Sequence, residues 1–148
     1  FCTDLGAEKV INYQKQDFHA VVSKYTKKYG VDLILDMVGG DYFEKNIDLL
    51  TEEGRLVMIA FLKGNKVTLD LSQIMLKRIL LTGSTLRPRS DIFKSEIASE
   101  LKNQVWPLLE NRKIKLYLDN IYEFKNFREA HKRMEESNHI GKIILSLD

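Results

Sequence analysis

With 148 residues, 44% of them hydrophobic and 30% charged, the chain has the composition of one ordinary globular core or of parts of two domains, not that of a disordered or membrane protein. Its 23 basic and 21 acidic residues are spread along the sequence and leave a net charge of +2, so nucleic acid and anionic membranes have no electrostatic footprint here. A single cysteine, Cys2, excludes an internal disulfide and a cysteine-rich metal site. No apolar run reaches the ~18–20 residues of a membrane span, and a cytoplasmic protein is the expectation.

Residues 1–7, FCTDLGA, read as the end of a helix stopped by Gly6, with neither an initiator methionine nor a signal segment. The chain is therefore expected to open inside a domain. A first strand is predicted over residues 10–13, VINY. Asp17 can cap a helix whose Phe18, Val21, Val22, Tyr25 and Tyr29 share a face, with Gly30 closing it. Residues 31–38 form a nearly continuous apolar run containing Asp32 and Asp36, the pattern of a strand covered on both faces. After the Gly39-Gly40 turn, Asp41 and Glu44 have capping-box spacing, which predicts a helix over residues 42–51. Phe43, Ile47 and Leu50 would face inward, and Gly54 would end it. Residues 55–61 are the next strand, so the stretch 30–61 is one βαβ unit.

A polar loop over residues 63–66 leads to a helix reaching about Arg78, then to a β run over residues 79–86. Arg87-Pro88-Arg89-Ser90 breaks the pattern, because the residue before proline is driven out of helical conformation. This break divides the chain into expected domains at residues 1–90 and 91–148. Beyond it, Ile97, Leu101, Val105 and Leu109 recur every four residues on a long helix that Pro107 should kink. Residues 114–124 are extended, and Asn126 with Glu129 repeats the capping-box pattern. Phe127, Ala130, His131 and Met134 share a face of the helix that follows, and residues 141–147 close the chain as a strand. The alternation of strands and helices is that of an α/β fold.

Few residues announce chemistry. Gly39-Gly40 lets backbone approach a ligand, with a helix N-terminus behind it that suits negative charge; a plain loop pair is the stronger reading of those two residues alone. The dinucleotide fingerprint G-x-G-x-x-G is absent. Tyr13 can stack on an adenine, touch a phosphate or simply pack. Arg87 and Arg89 can pair with a phosphate or carboxylate, or stay solvated. Asp32 and Asp36, four apart on a strand, can meet a ribose or be satisfied by helix amides or lysines. His19, His131 and His139 lack metal-ligand spacing, and no nucleophile, acid or base can be nominated. Trp106 reads as core or interface. If the run from Ile79 to Leu86 is the sheet's edge, pairing with a second subunit would protect it, which makes a homodimer the expected assembly.

The segments LGAEKVINYQKQDF (5–18), GVDLILDMVGGDYFEKN (30–46), GRLVMIAF (54–61), LTGSTLRPRS (81–90) and HIGKIILSL (139–147) resemble, in order, the C-terminal half of a medium-chain dehydrogenase/reductase. The resemblance is to the zinc-independent NADPH:quinone oxidoreductase (zeta-crystallin-like) branch. It implies a partial Rossmann-like doubly wound parallel sheet lacking its first strands over residues 1–90. A C-terminal α+β segment over residues 91–148 would contribute to a mostly missing GroES-like substrate domain. A complete member is roughly twice this length, since it has two domains of ~100–200 residues.

The resemblance also implies roles. Tyr13 would lie near the adenosine 2′-phosphate, favouring NADPH over NAD. Met37, Val38 and Gly39 would lie beneath the cofactor ribose. Ile59, Ala60, Phe61 and Leu62 would run along the nicotinamide half, with Thr85, Leu86 and Arg87 beside the ring. Asn138 and His139 would approach from the last helix-to-strand turn. No metal is expected. The implied reaction passes hydride from NADPH to a quinone or enone acceptor. The alternatives are a truncated, non-catalytic dimerisation or nucleotide-binding module, and half of a 2-enoyl thioester reductase. The 148-residue chain alone is expected to be inactive.

Overall fold

A computed structural model describes residues 1–147, which fall into two compact units, Phe1–Pro88 and a second from Arg89 onward. In the first unit, Asp17 begins helix α1 (Phe18–Tyr25) by accepting the His19 N–H at 3.1 Å. Strand β1 (Val31–Asp36), helix α2 (Tyr42–Leu49), strand β2 (Leu50–Met58), helix α3 (Leu71–Lys77) and strand β3 (Leu80–Gly83) follow. Asp70 caps α3 through Ser72 N at 2.9 Å. The strands pair in the order β1-β2-β3, and both pairings are parallel.

Phe43 and Ile47 of α2 pack with Leu50, Leu56 and Ile79, and Ile34, Met58, Ile74 and Leu81 border this cluster. Ile47 and Leu56 are fully buried, each contributing about 1.5–3 kcal/mol of apolar burial. The other face of the sheet is bare. Leu33 and Leu35 are each 62% exposed, so β1 is not covered on both faces as its apolar run predicts. Successive parallel crossovers of one hand, stepping in one direction, lay their helices on one side. Covering the second side takes strands stepping the other way from β1.

Other expectations shift for local reasons. Residues 10–13 form no strand; the chain turns there, with Lys15 N and Gln16 N donating to Asn12 O. An extended segment becomes a strand only when it pairs, and among the described residues none pairs with it. Helix α2 stops at Leu49, earlier than predicted, and Gly54 lies inside β2 instead of ending the helix. Between Val31 and Leu33 the ladder slips, as its partner moves from Leu50 to Arg55 around a left-handed Glu53. That slip also separates Asp32, which is exposed, from Asp36, which is buried. The Asp41 capping box does not form: Asp41 is helical itself, makes no cap bond, and sits 3.6 Å from Lys63 Nζ. Strand β3 ends at Gly83, so residues 84–87 are loop.

In the second unit, Ser90 caps helix α4 (Asp91–Glu100) by accepting from Phe93 N at 3.3 Å. The predicted kink is a π-helical turn (Leu101–Val105) leading into α5 (Trp106–Glu110). Pro107 cannot donate to the preceding turn, and the Trp106 amide reaches back to Leu101 O. Strand β4 (Leu118–Glu123), helix α6 (Phe127–Glu135) and strand β5 (Lys142–Ser146) make a parallel crossover. A 3-10 turn (Phe124–Asn126) introduces α6, and Asn126 makes no side-chain cap, so this capping box is also absent.

Asp119 of β4 ties that crossover together. It accepts from Arg133 Nε and Nη2, each at 2.9 Å, and from Ile140 N at 3.1 Å. The Arg133 guanidinium first, and the Ile140 amide second, hold its carboxyl down to about 2. A depressed carboxyl stabilises the fold above its unfolded value near 3.8 and loses that contribution as pH falls towards 2. Thermal melts should therefore show a stability loss between about pH 4 and pH 2 that Asp119→Asn makes shallower; equal acid sensitivity in both proteins would refute the assignment. Among the described residues, no helix is long and apolar enough to cross a membrane.

Candidate functional site

The C-terminal ends of β1 and β2 continue into loops that are laced together through their backbones. Ile59 N donates to Asp36 O at 2.8 Å, Leu62 N to Met37 O at 3.1 Å, Lys63 N to Val38 O at 2.8 Å and Gly40 N to Gly64 O at 3.0 Å. The buried Asp36 carboxylate holds the first loop from beneath. It accepts from Val38 N at 2.7 Å, from Gly39 N at 3.2 Å and from Asn46 Nδ2 at 3.2 Å. Asp36 is 4% exposed and Asn46 6%. The amide option for Asp36 is thus the one realised, with turn amides as donors. Asn46 was not singled out by sequence reasoning, although its place among Phe43, Ile47 and Leu50 at helical spacing marks it as a polar residue on an inward face.

The glycine pair makes its close approach to the protein itself. A Cβ on Gly39 would meet Gly64 O at 2.6 Å, and one on Gly40 would meet Lys63 O at 2.7 Å. Both residues are left-handed, at φ 63° and 55°. The amides of Val38, Gly39 and Gly40 are engaged by Asp36 and Gly64, and those of Tyr42 and Phe43 by Gly39 and Gly40 carbonyls. Donors committed in this way are not offered to an anion. The Lys63 ammonium nearby lies 4.6 Å from the Tyr42 ring centroid, in cation–π contact.

An open cavity of about 680 Å³ lies between the ends of β2 and β3. Met58, Ile59, Ala60 and Phe61 line one side, and Gly83, Ser84, Thr85, Leu86 and Arg87 the other. It therefore gathers six of the predicted site residues: Ile59, Ala60, Phe61, Thr85, Leu86 and Arg87. Met58, Gly83 and Ser84 join them unpredicted, because the predicted strands run through these positions and end farther along. Leu62 is 76% exposed just outside, and Met37, Val38 and Gly39 form the adjoining loop. Tyr13, 66% exposed in the Asn12 turn, is not among the lining residues. Asn138 and His139 belong to the second unit, before β5; His139 Nδ1 is buried with no hydrogen-bond partner among the described residues.

Among the described residues, no carboxylate, imidazole or thiol lines the cavity. What it offers is an apolar wall, two hydroxyls and one guanidinium, suited to positioning a flat ligand. Clusters of three or more His, Cys, Asp or Glu able to hold a metal are absent among the described residues.

At the opposite end of the sheet the polar contacts are structural. Lys77 Nζ donates to Ile47 O, Asp48 O and Leu50 O at 3.1, 2.8 and 3.0 Å, satisfying carbonyls where α2 ends. His19 places Nε2 2.5 Å from Asp48 Oδ2 and joins α1 to α2.

Residues 5–145 match the family described as zinc-binding dehydrogenase. Quinone oxidoreductase-like protein 2 of Bos taurus is 25% identical over 146 residues, covering 96% of this chain and 40% of the relative. The crystal structure of Escherichia coli quinone oxidoreductase complexed with NADPH superposes with a TM-score of 0.80 at 25% identity, over 97% of this chain and 44% of that one. A putative alcohol dehydrogenase from Sinorhizobium meliloti gives 0.77 at 26% identity, over 99% and 38%. The chain thus spans about two-fifths of the length of the cattle relative. Its parallel sheet, its laced strand-end loops and these likenesses together show that the chain belongs to the zinc-binding dehydrogenase family, as a segment of the quinone oxidoreductase branch of the medium-chain dehydrogenases/reductases.

Proposed function

We propose that this chain forms the nicotinamide side of the cofactor site in an NADPH-dependent oxidoreductase whose intact form reduces a quinone or an activated alkene. The cavity between the ends of β2 and β3 carries the reading: it lies where parallel sheets take their ligands, and its volume is that of a small-molecule site. The fit is to one half of the cofactor. Phe61, Ile59 and Leu86 give a ring-sized apolar surface, whereas the committed amides of Val38, Gly39 and Gly40 leave no phosphate cradle at that turn. NADPH, when bound, supplies the hydride.

The protein's contribution is then to orient and exclude. Ile59, Ala60 and Phe61 would back the ring, Thr85 and Leu86 would flank it, and the Asp36 anchor would keep the Met37–Val38–Gly39 loop at the height of the ribose. Reaction rate in such a site comes from held geometry, with no protein acid or base required in this half. Tyr13 near the 2′-phosphate, and Asn138 and His139 at the cofactor, belong to the same proposal. The outer edge of β3, paired only with β2 here, is the proposed contact with a second copy.

NADPH titrated into the labelled chain should shift the amides of residues 59–62 and 84–87, without quinone turnover by this chain alone. The longer protein containing it should oxidise NADPH with a quinone and have the mass of a dimer. Shifts confined to other surfaces would sink the site assignment, and turnover by the 148-residue chain would sink the half-site reading.

A further inference from the structure

One charged group in the cavity is left without a partner. Arg78 is held by Glu52 and Glu53, and Arg133 by Asp119. Arg87, lining the cavity and exposed, forms no ion pair among the described residues. Met58, Ile59, Phe61 and Leu86 there offer an apolar body a surface, and Ser84 and Thr85 add hydroxyls, but none of them carries a charge to balance the guanidinium. A guanidinium in that position is a ready partner for a carboxylate, sulfonate or phosphate oxygen.

The sheet order indicates which ligand carries that anion. Strands β1, β2 and β3 step in one direction, so any reversal of strand order lies on the β1 side. Dinucleotide pyrophosphates sit at such reversals. Arg87 follows β3, two strand spacings away, roughly 10 Å from β1. That offset sets Arg87 away from where the pyrophosphate is expected and favours a second ligand as the source of an anion beside it.

We infer that the cavity at the ends of β2 and β3 takes an apolar electron acceptor that carries an anionic group, and that Arg87 pairs with that group. This rests on the cavity being the reaction site, and deepens that reading by naming the acceptor's chemistry. Both ligand parts are supplied by one short loop: Leu86 meets the body and Arg87 the charge. Acceptors of the same shape without charge would enter less tightly, and salt would erode the difference.

The test compares an anthraquinone monosulfonate with its neutral hydroxymethyl counterpart, each titrated into the 148-residue chain and followed by amide shifts at residues 59–61 and 84–86. The sulfonate should bind about five- to tenfold more tightly, as expected of a partly exposed charge-assisted pair. Arg87→Gln should abolish that preference, Arg87→Lys should keep part of it, and Arg89→Gln should leave it intact. Equal binding of the two probes, or a preference that survives Arg87→Gln, would overturn the inference while leaving the cavity as the site. Nicotinamide mononucleotide supplies the remaining arm: if Arg87→Gln weakens this probe and spares the sulfonate preference, the arginine serves the cofactor and the inference fails. Absence of shifts at both loops with every probe would remove the site reading itself.

Discussion

Replacing Asp36 with alanine should lower the stability of the Phe1–Pro88 unit by about 3–5 kcal/mol, more than any surface change in it. The carboxylate is 4% exposed and has three donors, Val38 N, Gly39 N and Asn46 Nδ2. Removing it strands those donors where water enters poorly, at about 1–3 kcal/mol for each one left unsatisfied. A unit of this size is stable by only about 4–13 kcal/mol, so the loss takes a large share of the total. Thermal melting should fall by more than about 12 °C, at about 4–8 °C per kcal/mol for a small domain. Asp36→Asn keeps one acceptor oxygen and should cost less. Adding Asn46→Ala to Asp36→Ala should cost less than the two single losses combined, because both remove the same contact. A melting point within about 3 °C of the parent for Asp36→Ala would show that the loop does not depend on this anchor.

Gly39→Ala should be the second large loss, about 2–4 kcal/mol, and it should also damage the cavity. Two costs combine. A left-handed backbone at φ 63° disfavours any Cβ by about 1–2 kcal/mol. The new carbon would also lie 2.6 Å from Gly64 O and 3.2 Å from Phe61 Cδ1, so the second loop must move. Gly64→Ala separates the two, because Gly64 is at φ 114° with nothing within 4 Å of its Cβ position. Its cost should be backbone strain only. Since Phe61 is displaced in one variant and not the other, ligand shifts at residues 59–61 should weaken for Gly39→Ala and persist for Gly64→Ala. Equal stability and equal ligand response in the two variants would mean that the loops are not packed as described.

These two residues also show what kind of information the chain carries openly. Asp36 is legible as a carboxylate inside an apolar strand run, with a ribose, helix amides or lysines as its possible partners. That pattern does not specify which donors come within 3.3 Å, because Asn46 comes from the next helix and Gly39 from an intervening turn. For Gly39-Gly40, the residue types announce an unusual backbone and a close approach. Whether the thing approached is a phosphate or another loop depends on where the Phe61–Gly64 loop runs, and that is a long-range matter. The same limit explains the two capping boxes. Their spacing is present at Asp41 and at Asn126, yet neither side chain caps, since an αR turn residue and a 3-10 lead-in point the side chains elsewhere.

Residues 10–13 make the complementary point. VINY has the composition of a strand, but strandness is a property of a pair, and among the described residues no strand pairs with it. The bare face carrying Leu33 and Leu35 has the same origin: apolar patterning states that a surface is fit to be covered, while crossover direction decides which side the chain itself can cover.

By itself, the sequence determined the α/β class, the alternation of helices and strands from Asp17 to Gly83, the helix begun by Asp17 and the membership that its ordered motifs announce. The first three follow from local periodicity, caps and turn residues, which act within a few positions along the chain, and the last from resemblance of whole motifs. Only the tertiary structure decided that the Gly39-Gly40 turn is packed against its own protein, that Asp36 and Asn46 anchor it, and that Phe61, Leu86 and Arg87 share one cavity. Those are contacts between residues far apart in sequence, and they depend on how the parallel strands register and step, which no local spacing encodes.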